Sequence, residues 1–229
     1  SIKCVNIATT FATNAIVENR SRSTALVLMG YDAERVASAE RQNRFHTQNV
    51  LVISGAHDAK GNETAALDLE KLRGWLPGVL PHVEAVAVSG FFSVRNPSHE
   101  LAVRDIITEM SPRTYVTCGH ELASDLDAML RAVTAALNAD LIPVVMELLE
   151  SVESVFRSRG INVPISIVKS DGNLVGLDWA KLHPIETILS GPAASAIGAR
   201  HLAGAGGGTA AWVVDIGGTT TDIVYLDEE

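Results

Sequence analysis

Cysteine is nearly absent: the 229 residues hold two, Cys4 and Cys118, far apart in the chain. That excludes a disulfide framework and gives no metal-like cysteine spacing, so a reducing, cytoplasmic setting is expected. Basic residues are also outnumbered, with 18 Lys and Arg against 27 Asp and Glu, a net charge of −9. No basic stripe is visible, which argues against a nucleic-acid surface. No uninterrupted apolar run reaches the ~20 residues of a bilayer-spanning helix, and no signal-peptide pattern is seen. No membrane association is therefore expected. What remains is ordinary for a globular protein, 47% hydrophobic and 20% charged, with length for one large domain or two small ones. The chain opens on Ser1 with an apolar segment at once and closes on Asp227-Glu228-Glu229 just after another. Both ends are expected to continue into a longer chain.

Short apolar runs alternate with helical patterns. Thr24–Met29, Val50–Ile53, Val83–Val88, Thr114–Cys118 and Val163–Val168 read as strands. The run Val83–Val88, apolar but for Glu84, fits an interior strand of a parallel sheet. Between them, Ala65–Trp75 reads as a helix broken by Gly78 and Pro81, and Ser98 as an N-cap. Leu122–Leu137 and Leu141–Arg159 read as two amphipathic helices, Pro143 falling in the first turn of the second. Ser54–Asn62 is a loop by composition. Pro192–Ala203 is an alanine-rich helix with Pro192 at its first position, and Gly204–Gly208 is link-like. The alternation predicts an α/β fold with a mainly parallel mixed sheet flanked by helices. A division into residues 1–138 and 139–229 is expected.

The most informative segment runs Trp212-Val213-Val214-Asp215-Ile216-Gly217-Gly218-Thr219-Thr220-Thr221-Asp222-Ile223-Val224-Tyr225-Leu226. Two apolar runs flank a flexible, hydroxyl-rich turn, which predicts a β-hairpin over residues 210–226. Glycines let a backbone pass close to a bulky anion, and backbone N–H groups with threonine hydroxyls can donate to phosphate oxygens. Asp215 and Asp222 stand where a divalent ion or its water shell could bridge to that phosphate. By chemistry alone the segment is either a nucleotide's phosphate hairpin or an ordinary hairpin with a Gly-Gly turn. His57-Asp58, His99-Glu100 and His120-Glu121 offer imidazole and carboxylate pairs, but none has the spacing of two histidines on one helix face. Arg95-Asn96 either hold an anionic substrate or shape a strand-to-helix turn, and Cys118 reads as a small buried residue.

Taken in order, Thr9-Thr10-Phe11-Ala12-Thr13-Asn14-Ala15, Arg95-Asn96-Pro97-Ser98-His99-Glu100, His120-Glu121, Ser170-Asp171-Gly172, Ser190-Gly191-Pro192-Ala193-Ala194 and the Asp215–Asp222 hairpin resemble the A-subunit family of hydantoinases and 5-oxoprolinases. Asn173 and Gly119 depart from the family's usual glycine and serine, and the family's Glu-Tyr-Glu-Arg run after His-Glu is missing, which leaves the substrate open. The resemblance implies part of an actin-like ATPase lobe, with the C-terminal hairpin opening a second lobe. It implies ATP and Mg²⁺ as cofactors, a small cyclic amide as substrate and a B-type subunit as partner. Gly217, Gly218, Thr219, Thr220 and Gly191 would face the nucleotide, and Asp215 and Asp222 the metal. Asp215, Asp171, His120 and Glu121 would be catalytic. The implied reaction is ATP-dependent opening of a five-membered cyclic amide by carbonyl phosphorylation. The alternatives are an ATP-dependent ketone carboxylase of the same family, or a non-enzymatic nucleotide-binding module.

Overall fold

The computed structural model describes residues 2–18, 23–124, 126–205, 210–217 and 221–226. In chain order, strand β1 (Val5–Ile7) leads into helix α1 (Phe11–Val17), β2 (Thr24–Met29), α2 (Ala33–Arg41) and β3 (Asn49–Ile53). A small hairpin β4 (Ala56–His57) and β5 (Glu63–Ala65) precedes α3 (Leu69–Val79), β6 (Ala85–Gly90), α4 (Ser98–Met110), β7 (Tyr115–Cys118) and the short α5 (Gly119–Leu122). The long α6 (Ala128–Ser158), β8 (Ile165–Val168), β9 (Leu174–Gly176), α7 (Leu177–Leu182) and α8 (Ser190–Ala205) follow, and β10 (Ala211–Ile216) and β11 (Thr221–Leu226) close the described chain.

Two compact units result, one of residues 19–147 and one of residues 1–18 with 148–229. The first is a doubly wound α/β unit whose parallel sheet has the order β3-β2-β6-β7. Every residue of β2 and β6 is buried, as two-sided covering by helices requires. Odd-numbered positions of β2 (Ala25, Val27, Met29) pack with Leu72 and Leu76 of α3 and Val103, Ile106 and Ile107 of α4. Leu26 and Leu28 face the other way, onto Val36 of α2 and an alanine stripe of α6 at 128, 132, 135, 136 and 139. Alanines at this spacing bring the helix close to the sheet without losing helix propensity. The strand order reverses between β2 and β6, and the carboxyl ends of strands beside such a reversal are where α/β sheets place ligands. In the second unit β1 runs parallel to β8, which pairs antiparallel with β9.

Several expectations change. The two helices expected over 122–137 and 141–159 are one, α6, which carries Pro143 in its interior. The ring removes one donor, but the apolar stripe stays in register on both sides of it, so packing outweighs the lost bond. Asp127 starts this helix by accepting the Leu130 N–H at 3.0 Å. By length and hydropathy α6 could cross a bilayer, contrary to the reading of the sequence, yet most of its apolar window is buried in the protein. Helix α3 starts later than expected, behind Asp68, which accepts from Lys71 N–H, and runs through Pro77 and Gly78. Ser98 is not the N-cap of α4; Asn96 Oδ1 accepts the Ser98 N–H at 3.0 Å. The 54–62 loop contains the two residues of β4. Helix α8 begins at Ser190, so Pro192 is not its first residue, and extends through Gly204. The rest of the glycine link, 206–208, lies outside the described residues.

Candidate functional site

In the unit formed by residues 1–18 and 148–229, motifs distant in sequence meet. Thr9 N–H donates to Ser190 Oγ at 3.3 Å, and the Ser190 hydroxyl donates to Thr9 O at 2.9 Å. Leu189 N–H donates to Thr13 Oγ1 at 3.0 Å. Leu189 holds φ at 60°, a left-handed conformation that costs a non-glycine residue about 1 kcal/mol or more. Gly191 abuts this junction: a β-carbon there would stand 3.1 Å from Thr10 Cγ2. Its lack of a side chain therefore lets the α8 start lie close to the threonine segment.

The hairpin forms as expected, β10 pairing antiparallel with β11. Its register sets Asp215 directly opposite Asp222, so both carboxylates share one face of the ribbon. Asp215 is exposed, and Ser195 of α8 donates its hydroxyl proton to Asp215 Oδ2 at 2.6 Å. Two opposed carboxylates repel unless a cation lies near, and carboxylate oxygens are the ligands Mg²⁺ prefers; the pair fits such an ion. Gly217 is exposed at the hairpin end, while Gly218, Thr219 and Thr220 lie outside the described residues.

Asp171 caps its own turn. It accepts the Asn173 N–H at 2.9 Å and pairs with Lys169 at 3.3 Å. The bonds from Asn173, with help from Lys169, hold its carboxyl below the usual range. Gly172 follows at φ +81°, and a β-carbon there would overlap Ile197 Cδ1 of α8. Ile197 is half exposed and can swing aside, which leaves the backbone cost. Gly172→Ala is expected to lower unfolding free energy by about 1–2 kcal/mol, read from urea denaturation, with the motif junction otherwise intact.

The unit of residues 19–147 gathers a separate polar cluster at the carboxyl edge of its sheet. Glu100, in the first turn of α4, is fully buried. Its Oε1 accepts the Gly90 N–H at 2.7 Å, and its Oε2 accepts the His120 N–H at 3.0 Å and the His120 Nδ1–H at 2.5 Å. His120 is thus paired with Glu100 and not with its neighbour Glu121, which faces Arg104 at 2.9 Å. Local spacing carried no sign of this, because Glu100 lies twenty positions upstream. Donor atoms of Glu100, Cys118 and His120 lie within 4.8 Å of one another. Burial pushes the Cys118 thiol up, and the charge of Glu100 adds to this, so the thiolate a metal needs is disfavoured. Three N–H donors already occupy Glu100, and the set reads as a hydrogen-bonded carboxylate–imidazole pair.

Around it, Tyr31 Oη hydrogen-bonds Ser89 Oγ at 2.8 Å and donates to Ala128 O at 2.7 Å, and burial raises its phenol to about 12. Arg131, buried among the alanines of α6, donates Nη2–H to Gly90 O at 3.1 Å and Phe91 O at 2.6 Å. An arginine on an otherwise apolar helix face was the one sequence sign of this contact. His99 Nε2 meets Glu63 Oε1 at 2.9 Å, and His57 Nε2 meets Ser98 Oγ at 3.3 Å. Burial and the nearby His99 lower the His57 imidazole below its ordinary value. Asn96 donates to Gly61 O at 2.9 Å, so it shapes the turn before α4.

Family models cover most of the chain. Residues 1–111 match the hydantoinase/oxoprolinase N-terminal region, and residues 131–229 match hydantoinase/oxoprolinase. The chain belongs to the hydantoinase/oxoprolinase family. Among curated members of this family it is 28% identical to the caprolactamase subunit alpha of Pseudomonas jessenii, covering 96% of this chain and 34% of that protein. It is 27% identical to 5-oxoprolinase 1 of Arabidopsis thaliana, covering 99% of this chain and 20% of that protein. The chain therefore spans between a fifth and about a third of the length of these family members. In structure it resembles the ATP-dependent caprolactamase of P. jessenii, with a TM-score of 0.80 at 26% identity over 97% of this chain and 34% of that one. It also shares the fold of nucleotide-free acetone carboxylase, with a TM-score of 0.82 at 20% identity over 97% of this chain and 35% of that one.

Proposed function

We propose that this family member serves an ATP-dependent amidohydrolase that opens a small cyclic amide, with the residue 210–226 hairpin as one phosphate-binding element of an actin-like ATPase core. The observation that carries the reading is the seating of Asp215 at α8, hydrogen-bonded by Ser195 and directly opposite Asp222. Chemistry supports it. An amide carbonyl is a poor electrophile, and phosphorylating its oxygen supplies a leaving group; such transfer needs positioning and charge neutralisation above all. The turn Gly217–Thr220 would present amides and hydroxyls to phosphate oxygens. Asp215, with Asp222 behind it, would hold Mg²⁺, which supplies charge neutralisation when bound. Gly191 would set the start of α8 against the nucleotide, and Asp171 would act from its Lys169-paired turn. The relatives that are named as subunits support a B-type partner, and the two cysteines, neither in a disulfide, support a cytoplasmic setting.

The reading is tested by phosphate release from ATP, using the whole protein that carries this chain together with its partner subunit. Stimulation by a five-membered lactam, hydantoin or 5-oxoproline is the expected result. Stimulation by a ketone with bicarbonate in place of the cyclic amide would assign the protein to the carboxylase branch. ATP binding without turnover of either class would leave a nucleotide-binding module.

A further inference from the structure

One face of the β10–β11 ribbon is turned to α8, which packs against both strands. Ala211, Val213, Asp222, Val224 and Leu226 of that face are half-buried, and Asp215 shares it through its register with Asp222. Asp215 is the exception, an exposed carboxylate at the turn end of the face. Left alone, two opposed anions swing apart, and an exposed aspartate has the free rotamers to do so. Ser195 opposes this by donating to Asp215 Oδ2 at 2.6 Å, a charge-assisted bond. A serine inside a helix commonly donates to the carbonyl one turn back; here the proton goes across to the strand. One carboxylate oxygen is thereby held, and among the described residues Oδ1 accepts no hydrogen bond. The helix that carries Ser195 is itself held at its start. Ser190 exchanges bonds with Thr9, Thr13 accepts the Leu189 N–H, and Gly191 lies one turn before Ser195 on the same face of α8. All of these groups belong to one compact unit, residues 1–18 with 148–229.

We propose that Ser195 is a positioning residue of the hairpin: its hydroxyl fixes Asp215 Oδ2 so that Oδ1, opposite Asp222, stays available to a divalent cation. The inference rests on the reading of this hairpin as a phosphate and Mg²⁺ element, and it adds the residue that sets the cation's ligand. Ser195 acts through Asp215 and needs no contact of its own with nucleotide or cation. A carboxylate already held in place loses little rotamer freedom when the ion arrives, so the hydroxyl raises affinity without adding a ligand. It also ties that carboxylate, through little more than one turn of α8, to the Ser190–Thr9 junction. The Ser190-Gly191-Pro192 and Asp215–Asp222 motifs are thus kept in register by a single helix.

Mn²⁺ is the probe, since it takes the oxygen ligands that Mg²⁺ takes and its free form is read by electron paramagnetic resonance. Its binding together with a non-hydrolysable ATP analogue is measured on the whole protein with its partner subunit. Wild type is compared with Ser195→Ala, Ser195→Thr, Asp215→Ala and the Ser195→Ala, Asp215→Ala double variant, each first checked for a melting temperature no lower than wild type. Alanine is the better helix former, so Ser195→Ala costs α8 itself nothing. Its Mn²⁺ affinity is expected to fall about 10–100-fold. The Mg²⁺ concentration for half-maximal ATP turnover should rise alike, with kcat at saturating Mg²⁺ and the KM for the cyclic amide within a few-fold. Ser195→Thr keeps the hydroxyl and should bind Mn²⁺ within a few-fold of wild type. The double variant should bind no more weakly than Asp215→Ala, because a group acting through Asp215 then has nothing left to position. Binding weakened by Asp215→Ala but not by Ser195→Ala, or weakened as much by Ser195→Thr as by Ser195→Ala, overturns the positioning role and leaves the hairpin reading standing. So does a further loss in the double variant. Nucleotide-dependent Mn²⁺ binding that is missing in the wild type, or untouched by Asp215→Ala, overturns the hairpin reading itself.

Discussion

Arg131→Ala is expected to unfold much of the 19–147 unit near body temperature. Arg131 is the bulkiest of the fully buried side chains, and its guanidinium donates to the carbonyls of Gly90 and Phe91 where β6 ends. Removing it takes these donors from the partly buried Phe91 carbonyl and from the buried Gly90 carbonyl, which keeps only its bonds from Ser93, and opens a cavity beside the alanine stripe of α6. Each lost partner costs about 1–3 kcal/mol, and a large-to-small change in a core costs about 3–5 kcal/mol by itself. Even the lower sum is a large share of the 5–15 kcal/mol that holds a typical domain together. Urea denaturation of this chain followed by circular dichroism measures it. Arg131→Lys should fall between, because an ammonium keeps the charge but loses the planar fork. A variant as stable as the wild type would mean that the end of β6 does not depend on this donor.

Asp215→Asn should separate activity from stability in opposite directions. The amide keeps an acceptor for Ser195 Oγ–H but removes the charge opposite Asp222. Two like charges face to face across a ribbon are mildly destabilising, and an exposed substitution moves stability by no more than about 0.5 kcal/mol. The melting temperature should therefore hold or rise slightly. Turnover of ATP by the whole protein should fall by about 10²–10³-fold or more, the effect of removing one preorganised electrostatic contact at phosphoryl transfer. A variant that loses stability and keeps turnover would make the hairpin scaffold only.

The hairpin was legible because its pattern is local: two apolar runs, a glycine turn and the Asp215–Asp222 register all follow from residues within one ribbon. The parallel sheet was legible for a similar reason, since β2 and β6 are mostly apolar along both faces and must be covered on both. The ends of α3, α4 and α6 were less so. Gly78 read as a break and Pro143 as the first turn of a separate helix, yet α3 runs on to Val79 and α6 passes through Pro143, because burial of a whole stripe outweighs one missing N–H. Asp68 and Asp127 were the true helix starts, and both had the chemistry of a cap.

By itself the sequence determined the family, through ordered motifs covering nearly all of the chain, and the α/β class, through apolar periodicity. Both rest on near-neighbour chemistry that a one-dimensional pattern preserves. Only the tertiary structure decided which groups act together. It paired His120 with Glu100 in place of Glu121, joined Thr9 to Ser190 and set Ser195 on Asp215. A hydrogen bond depends on distance and direction between atoms, and crossover connections in a wound sheet bring together residues whose separation along the chain says nothing of either.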